Sequence, residues 1–98
     1  MSDVGFDWDP RKDATNRRKH GVSFQEAVSV FVDEHALWIP DPGHSRDEER
    51  FVLLGISARL RTLVVCHCLR DRGDVIRIIS ARNANRMERA QYQARRKQ

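Results

Sequence analysis

Arginine supplies most of the positive charge of this chain, and one arginine stands in an unusual place. Arg77 lies in the middle of the run 75–82, whose apolar and polar residues follow the pattern of a β-strand. An arginine between isoleucines needs either a carboxylate partner, such as Glu49 or Glu88, or a phosphate from a ligand. Arg77 is therefore a candidate for phosphate binding, with a structural ion pair or a solvated face of the sheet as the alternative.

Two histidines are the candidates for proton transfer. His67 lies on a second predicted strand, 62–69, on the face shared with Leu63 and Val65. In such a run a histidine is either a satisfied core residue or, where its face is open, a general acid or base. His20 ends the first predicted helix, where the helix dipole favours a cation, so a capping role competes with a chemical one.

Several kinds of site are absent from the sequence. The histidines lack the spacing of metal ligands, and there is no H-E-x-x-H pair, phosphate-binding loop, dinucleotide-binding glycine motif or nucleophile elbow. Cys66 and Cys68 are two residues apart on a predicted strand, a spacing that suits neither a disulfide nor a zinc or redox site. We therefore expect no metal, no cofactor, and two free thiols in a reducing compartment.

Length and composition predict one small globular domain over residues 1–98. The chain is 40% hydrophobic and 33% charged, which is ordinary for a folded protein and argues against disorder. No apolar run approaches the roughly 20 residues that span a bilayer. The acidic N-terminus lacks a hydrophobic export segment. The sequence predicts a soluble, cytoplasmic protein without a membrane partner.

The distribution of charge is more informative than the net charge of +4. Positive charge clusters in the segments 10–20, 59–82 and 84–98, whereas 32–49 is acidic. Such clusters are typical of proteins that bind a polyanion, and they are equally compatible with a solvated charged surface. Arginine outnumbers lysine by 15 to 3, which suits bidentate contacts with phosphate.

Two helices are predicted in the first third of the chain. One spans 10–20, between an aspartate N-cap and a terminal glycine. It is polar nearly all round, which leaves several side chains free for a partner: Asn16, Arg17, Lys19 and His20. The other spans 23–32, opens with a capping box of Ser23 and Glu26, and carries one apolar stripe. We expect this second helix to be purely structural.

Five strands and a C-terminal helix complete the prediction. The strands are 4–8, 35–40, 49–56, 62–69 and 75–82, and the helix follows Asn85. The order is β-α-α-β-β-β-β-α, and short connections between the last strands indicate antiparallel pairing, hence an α+β fold with a meander. Strict alternation along the last strand places Ser80 and Arg82 on the opposite face from Arg77.

This inventory of arginine, histidine and glutamate is compatible with cleavage of RNA without a metal ion. A base would deprotonate the ribose 2′-hydroxyl, arginines would stabilise the charge that develops on the phosphate, and an acid would protonate the leaving 5′-oxygen. The same residues would also suit a protein that binds RNA or DNA without cleaving it.

Blocks of familiar sequence cover nearly the whole chain: F-D-W-D at 6–9, Asn16, K-H-G-V-S-F-Q-E-A at 19–27, E-E-R-F at 48–51, I-R-I-I-S-A-R at 76–82, Glu88 and Tyr92. In this order they resemble the BrnT toxin family. The resemblance implies a RelE-like ribonuclease fold and a toxin of a type II toxin–antitoxin system. It also implies a BrnA-like antitoxin with a ribbon-helix-helix DNA-binding part, which neutralises the toxin and joins it in repressing their operon.

With this resemblance, roles are expected for nine residues. Phosphate stabilisation and substrate positioning are assigned to residues of the last strand: Arg77, Arg82 and Ser80. Proton transfer is assigned to one of three groups: His67, His20 or Glu49. Substrate binding is assigned to three further cations: Arg50, Lys19 and Arg17.

The predicted function is a metal-independent endoribonuclease toxin that cleaves RNA and inhibits translation. One alternative is a catalytically inactive co-repressor that acts with the antitoxin on operator DNA. A protein that only docks an acidic antitoxin segment is another. Expression of the protein alone separates the first two, because a nuclease should arrest growth and a co-repressor should be tolerated.

Overall fold

The computed structural model describes residues 4–40 and 50–97. Its helices are α1 (Pro10–His20), α2 (Phe24–Ser29) and α3 (Arg86–Arg96), with short 3₁₀ turns at Val30–Val32 and Asp71–Gly73. Its strands are β1 (Gly5–Asp7), β2 (Leu37–Pro40), β3 (Arg50–Ile56), β4 (Thr62–Arg70) and β5 (Val75–Asn83). The expected mixed α+β class is confirmed. The predicted loop at 41–45 and the candidate base Glu49 lie outside the described residues.

The five strands form one sheet in the order β1-β5-β4-β3-β2. From β2 to β5 each strand pairs antiparallel with the next along the chain. β1 pairs with β5 in parallel, through residues 5–7 opposite 75–77. Beyond residue 77, β5 has no strand on this side in the described part of the chain, and α1 lies along the edge instead.

α1 begins and ends where its capping residues predict. Asp9 accepts a hydrogen bond from the backbone N–H of Arg11 at 2.8 Å. Gly21 follows the helix with φ of 68°, a conformation that only glycine adopts without strain, and its N–H bonds to the carbonyl of Arg17 at 2.9 Å. These caps are local in sequence, so the sequence alone sufficed to place this helix.

α2 is shorter than the predicted helix and is attached differently. Ser23 Oγ accepts the N–H of Glu26 at 3.0 Å. The Glu26 carboxylate points away from this cap and accepts hydrogen bonds from the Ser57 hydroxyl, at 2.7 Å, and from the Arg61 guanidinium. The bond from Arg61 lowers the pKa of Glu26. Glu26 thus ties α2 to the turn between β3 and β4, and the chain then tightens into the first 3₁₀ turn.

The two faces of the sheet are covered differently. On the first face, α2 and the 3₁₀ turn after it enclose the larger core, whose buried members are Val22, Phe24, Ala27, Val30, Leu53, Leu63, Val65, Ile76, Ile78 and Ala81. On the second face, α3 covers part of the sheet, with Tyr92 against Leu54 and Val64. None of the three helices within residues 4–40 and 50–97 has the length and apolarity needed to cross a bilayer.

Candidate functional site

A β-bulge in β5 decides which side chains share a face of the sheet. The pairing of β5 with β4 shifts by one residue, from Ile78 opposite His67 to Ser80 opposite Cys66. Ile79 is the extra residue, and the alternation of faces restarts after it. Bulges re-aim the side chains that follow them, so this one determines where the end of β5 presents its polar groups.

The bulge places Ser80 and Arg82 on the second face. Ala81, between them, is fully buried in the core of the first face together with Ile78. The expectation from strict alternation, that Ser80 and Arg82 lie on the opposite face from Arg77, is therefore wrong. The extra residue moves both side chains onto the face of Arg77.

The register of the sheet brings a third arginine to the same face. Arg50 on β3 and Arg77 on β5 each pair with Cys68, which lies between them on β4. Side chains that are opposite in register share a face. Val52, two residues after Arg50, packs against the core beneath α3. Arg50, Arg77 and Arg82 therefore all lie on the second face.

A groove of about 250 Å³ opens on this face. We call it the strand groove, and its lining residues are Arg50, Val52, Val64, Cys66, Ile79, Ser80 and Arg82. Apolar side chains and one thiol make up most of the lining, and two guanidinium groups and one hydroxyl supply its polarity. Guanidinium groups beside an apolar surface suit a phosphate or another oxyanion.

Arg82 is held in place by Glu88 in the first turn of α3. Its Nη1 and Nη2 donate to the two carboxylate oxygens at 2.8 and 2.9 Å. Glu88 also accepts the backbone N–H of Asn85 at 2.8 Å and completes the capping box of α3. The hydrogen bond from Arg82 lowers the pKa of Glu88, so this carboxylate stays charged. The helix cap thus fixes the orientation of an arginine at the groove.

Arg77 pairs with a carboxylate that the sequence analysis did not consider. Its Nη1 donates to Asp7 Oδ2 at 2.5 Å, across the parallel pairing of β1 with β5. Glu88, one of the two expected partners, pairs with Arg82 instead. Arg77 lies outside the lining of the strand groove, although it shares the same face of the sheet.

Arg50 carries a hydrogen-bond donor that no residue within 4–40 and 50–97 uses. Its Nε is buried and makes no hydrogen bond with any residue that the structure describes. Buried donors in native proteins are nearly always paired, so an unpaired one calls for an explanation. Because Arg50 lines the strand groove, an oxygen of a bound ligand is the partner that the geometry suggests.

A second groove, of about 290 Å³, lies between α1 and the edge of β5. We call it the helix groove, and its lining residues are Arg11, Lys12, Thr15, Asn16, Lys19, His20, Ile79 and Ser80. Ile79 and Ser80 line both grooves, so the bulge forms the wall that the two share. The structure thus brings Lys19 and His20 together with Ser80 from the last strand.

Arg11 and Lys12 are candidate binding residues that the sequence analysis missed. They join Lys19 on the side of α1 that faces the helix groove. Arg11 and Lys12 precede Lys19 by eight and seven residues, so all three lie on one face of a helix, and this spacing was visible in the sequence. Because α1 is polar on nearly every side, however, the sequence does not single out one polar face as a binding face.

Two α1 residues that were expected to be free for a partner are engaged within the protein. Asn16 is 6% exposed, and its amide bonds the backbone of Ala81 and Val22. Arg17 pairs with Asp13 at 3.8 Å and lines neither groove. The structure therefore offers no support for Arg17 as a substrate-binding residue, since it faces away from the other candidates.

His67 lies in the core and not at a catalytic surface. It is fully buried, and its ring centroid is 4.9 Å from that of Phe31, 4.6 Å from Trp38 and 5.9 Å from Phe51. Burial lowers the pKa of His67 to about 4, so the ring is neutral at physiological pH. The assignment of His67 as acid or base is corrected accordingly, because an enclosed ring cannot reach a substrate.

A third cavity, of about 350 Å³, lies away from these residues, beside α3 and the first 3₁₀ turn. Its carboxylate, Asp33, already accepts hydrogen bonds from the Tyr92 hydroxyl and from the backbone N–H groups of His35 and Ile56. The carboxylate of this cavity is therefore already engaged within the protein. Among residues 4–40 and 50–97, no three His, Cys, Asp or Glu side chains form a group that could hold a metal ion.

Comparisons with known proteins agree with the resemblance drawn from the sequence. The family model described as "Ribonuclease toxin, BrnT, of type II toxin-antitoxin system" matches residues 8–88. The crystal structure of the Brucella abortus ribonuclease toxin BrnT is similar in fold, with a TM-score of 0.66 at 22% sequence identity, over 85% of this chain and 99% of that one. No curated protein sequence matches the chain. The chain belongs to the BrnT family of ribonuclease toxins of type II toxin–antitoxin systems.

Proposed function

We propose that this protein is a metal-independent endoribonuclease that cleaves RNA at the strand groove and thereby inhibits translation. The observation that carries the proposal is that Arg50, Ser80 and Arg82 line one groove, to which the sheet register brings Arg50 and the bulge in β5 directs Ser80 and Arg82. Cleavage of RNA concentrates negative charge on one phosphate, and guanidinium groups fixed around that phosphate stabilise the charge. Membership of a ribonuclease toxin family supports the same reaction.

The reaction requires three contributions from the protein. A base removes the proton of the ribose 2′-hydroxyl, and the freed oxygen attacks the neighbouring phosphorus. Negative charge then builds on the non-bridging oxygens, where arginines donate hydrogen bonds. The bond from phosphorus to the 5′-oxygen breaks, an acid gives that oxygen a proton, and a 2′,3′-cyclic phosphate remains.

The three arginines differ in how firmly the protein orients them for stabilising charge on the phosphate. Arg82 is the principal stabiliser, because Glu88 holds its guanidinium in one orientation. Arg50 contributes through its Nε, which no described residue uses. Arg77 lies further along the same face and binds a neighbouring part of the RNA. Ser80, which is exposed on the shared wall, orients the ribose or the phosphate by hydrogen bonding.

His20 is the proposed acid or base. It is exposed to solvent and lines the helix groove together with Ser80, so it lies beside the wall that the strand groove shares. Histidine exchanges protons near neutral pH more readily than the other side chains. Glu88 is a poor alternative because Arg82 keeps its carboxylate charged and engaged. Glu49, which precedes Arg50 in the chain, remains the alternative base.

Membership of the family supports the proposed antitoxin and its DNA-binding role. A toxin of a type II system implies an antitoxin, and we propose a BrnA-like protein with a ribbon-helix-helix part that neutralises the nuclease. The complex would bind operator DNA through the antitoxin. The five-stranded sheet with helices on both faces supports a RelE-like fold.

Cleavage of bulk cellular RNA by purified protein in excess EDTA tests the proposal. The wild type should cleave, and the Arg77→Ala/Arg82→Ala double variant should not. Full activity of the double variant would show that the site lies elsewhere. Cleavage that stops in EDTA and returns with a divalent cation would overturn metal independence.

The alternative of an inactive co-repressor is tested by the same preparation. If the wild type cleaves neither free RNA nor RNA on added ribosomes, and its expression without antitoxin leaves growth unchanged, the nuclease proposal fails. Repression of the operon by antitoxin together with this chain, and not by antitoxin alone, would then establish the co-repressor function.

A further inference from the structure

The helix groove continues the strand groove across the bulge. Ile79 and Ser80 are the shared wall, so a chain molecule that occupies one groove can pass directly into the other. Both cavities are of modest size, about 250 and 290 Å³. A single strand of nucleic acid is such a chain molecule.

The helix groove is uniformly basic. Every charged residue in its lining is a cation or a histidine: Arg11, Lys12, Lys19 and His20. Asp13, the carboxylate within α1, is occupied on another side of the helix, where it accepts the backbone N–H of Phe24 at 2.9 Å and pairs with Arg17. The positive charge along the groove is therefore not neutralised by a carboxylate in the groove lining.

We propose that the helix groove binds the phosphates that flank the cleaved bond on a single RNA strand, with Arg11, Lys12 and Lys19 as their ligands. This inference rests on the proposed ribonuclease function. It adds the path that the RNA takes beyond the strand groove. The lining has no phenylalanine, tyrosine or tryptophan on which a base could stack. The groove therefore binds the RNA backbone without regard to sequence, and its contribution to affinity falls steeply with salt.

The experiment measures binding of a single-stranded RNA whose 2′-hydroxyls are methylated, so that it cannot be cleaved. Affinity is followed by fluorescence anisotropy between 50 and 200 mM salt for wild type, Arg11→Ala/Lys12→Ala and a control, Arg18→Ala/Lys97→Ala. The control removes one arginine and one lysine that are exposed and line neither groove. Both double variants therefore change the net charge equally.

The expected result is a change in the salt dependence of one variant only. Loss of two phosphate contacts should reduce the slope of log affinity against log salt by about 1.4. The ratio of wild-type affinity to variant affinity should therefore be about sevenfold larger at 50 mM salt than at 200 mM. A single Lys19→Ala change should reduce the slope by about 0.7. The control should keep the slope of the wild type.

Cleavage kinetics separate failure of this inference from failure of the proposed function. Arg11→Ala/Lys12→Ala should raise KM for long RNA, leave kcat unchanged, and cleave a dinucleotide as the wild type does. A wild type that cleaves RNA while this variant binds like the control overturns the inference alone. If the binding slopes are as expected but the wild type cleaves no RNA, the helix groove binds RNA and the proposed nuclease function is wrong. Loss of affinity for duplex DNA, with RNA affinity unchanged, would show that the groove serves a different polymer.

Discussion

The side-chain amide of Asn16 bonds both backbone groups of Ala81. Its Nδ2 donates to the Ala81 carbonyl at 2.7 Å, and its Oδ1 accepts the Ala81 N–H at 3.1 Å. A second bond from Nδ2 reaches the carbonyl of Val22 at 2.8 Å. Asn16 thus occupies the place of the strand that β5 lacks beyond its pairing with β1, and it holds α1 against the sheet edge where the helix groove forms.

Asn16→Ala should lower the free energy of unfolding by about 3 kcal/mol, because it leaves several buried backbone groups without partners. Urea unfolding measures the loss. Thr15→Ala, an exposed neighbour on the same groove, should change stability by less than about 0.5 kcal/mol. Equal stability of the Asn16 variant and the wild type would show that the edge of β5 is satisfied in some other way.

Removal of the bulge should separate folding from activity. Positions 78 and 79 are both isoleucine, so deletion of either residue gives the same shortened chain. In that chain Ala81 should still face the core, and Ser80 and Arg82 should still face the strand groove. The circular dichroism spectrum should be retained. RNA cleavage should fall about 100-fold, since the deletion displaces the groups of the shared wall by more than an ångström.

Ile79→Ala is the matched control for that deletion, because it trims the side chain and keeps the extra residue. It should cleave RNA nearly as well as the wild type. Retained activity in the deletion, or equal losses in both variants, would mean that the bulge is dispensable for placing Ser80 and Arg82.

Glu88→Gln should reduce kcat about tenfold with little change in KM, because Arg82 loses the two charge-assisted bonds that orient it. The cost in stability should be about 1 kcal/mol, as both groups are partly exposed. Steady-state cleavage of a labelled RNA measures kcat and KM separately. Glu34→Gln, on the exposed surface, serves as the control. A rise in kcat would show that Glu88 competes with the substrate for Arg82.

His67 should make the stability of the protein depend on pH. In the unfolded chain its ring takes up a proton near pH 6.5, but in the folded protein burial delays protonation to about pH 4. Acid therefore favours the unfolded chain between these two pH values. The free energy of unfolding should be at its full value above pH 6.5 and should fall by up to about 3 kcal/mol as the pH is lowered toward 4.

His67→Phe should reduce that loss while RNA cleavage at neutral pH persists, because phenylalanine matches the aromatic surroundings and His67 does not reach the grooves. Urea unfolding at pH 7 and pH 5 provides the comparison. A folded His67→Phe variant without cleavage activity would restore His67 as a catalytic candidate.

The sequence was sufficient where local signals decide the structure. Asp9 and Gly21 set the two ends of α1 through bonds to residues two and four positions away, and Asn85 with Glu88 sets the start of α3 in the same local way. Arg77 was rightly expected to need a carboxylate or phosphate. Its actual partner, Asp7, comes from a strand seventy residues earlier, and the parallel pairing that joins them leaves no local trace.

The candidate site depended on one residue that breaks a rule. Alternation separates Arg77 from Arg82, and only the extra Ile79 reunites them on one face. The doublet of Ile78 and Ile79 was a visible interruption of the period-two pattern, but a doublet alone does not show which residue is displaced. Asn16 was misjudged for a related reason, since a polar residue on a polar helix gives no sign that its partner is a strand edge.

The placement of aromatic residues gives the molecule separate optical reporters for its two layers. Trp8 and Trp38, the only tryptophans, lie on the first face against Phe24 and His67, whereas Tyr92, the only tyrosine, is buried beneath α3. Burial and the bond to Asp33 raise the pKa of Tyr92 to about 12. Phenolate absorbance in an alkaline titration therefore signals release of α3 from the sheet, while indole fluorescence follows the opposite layer, so one unlabelled sample can show which layer loosens first.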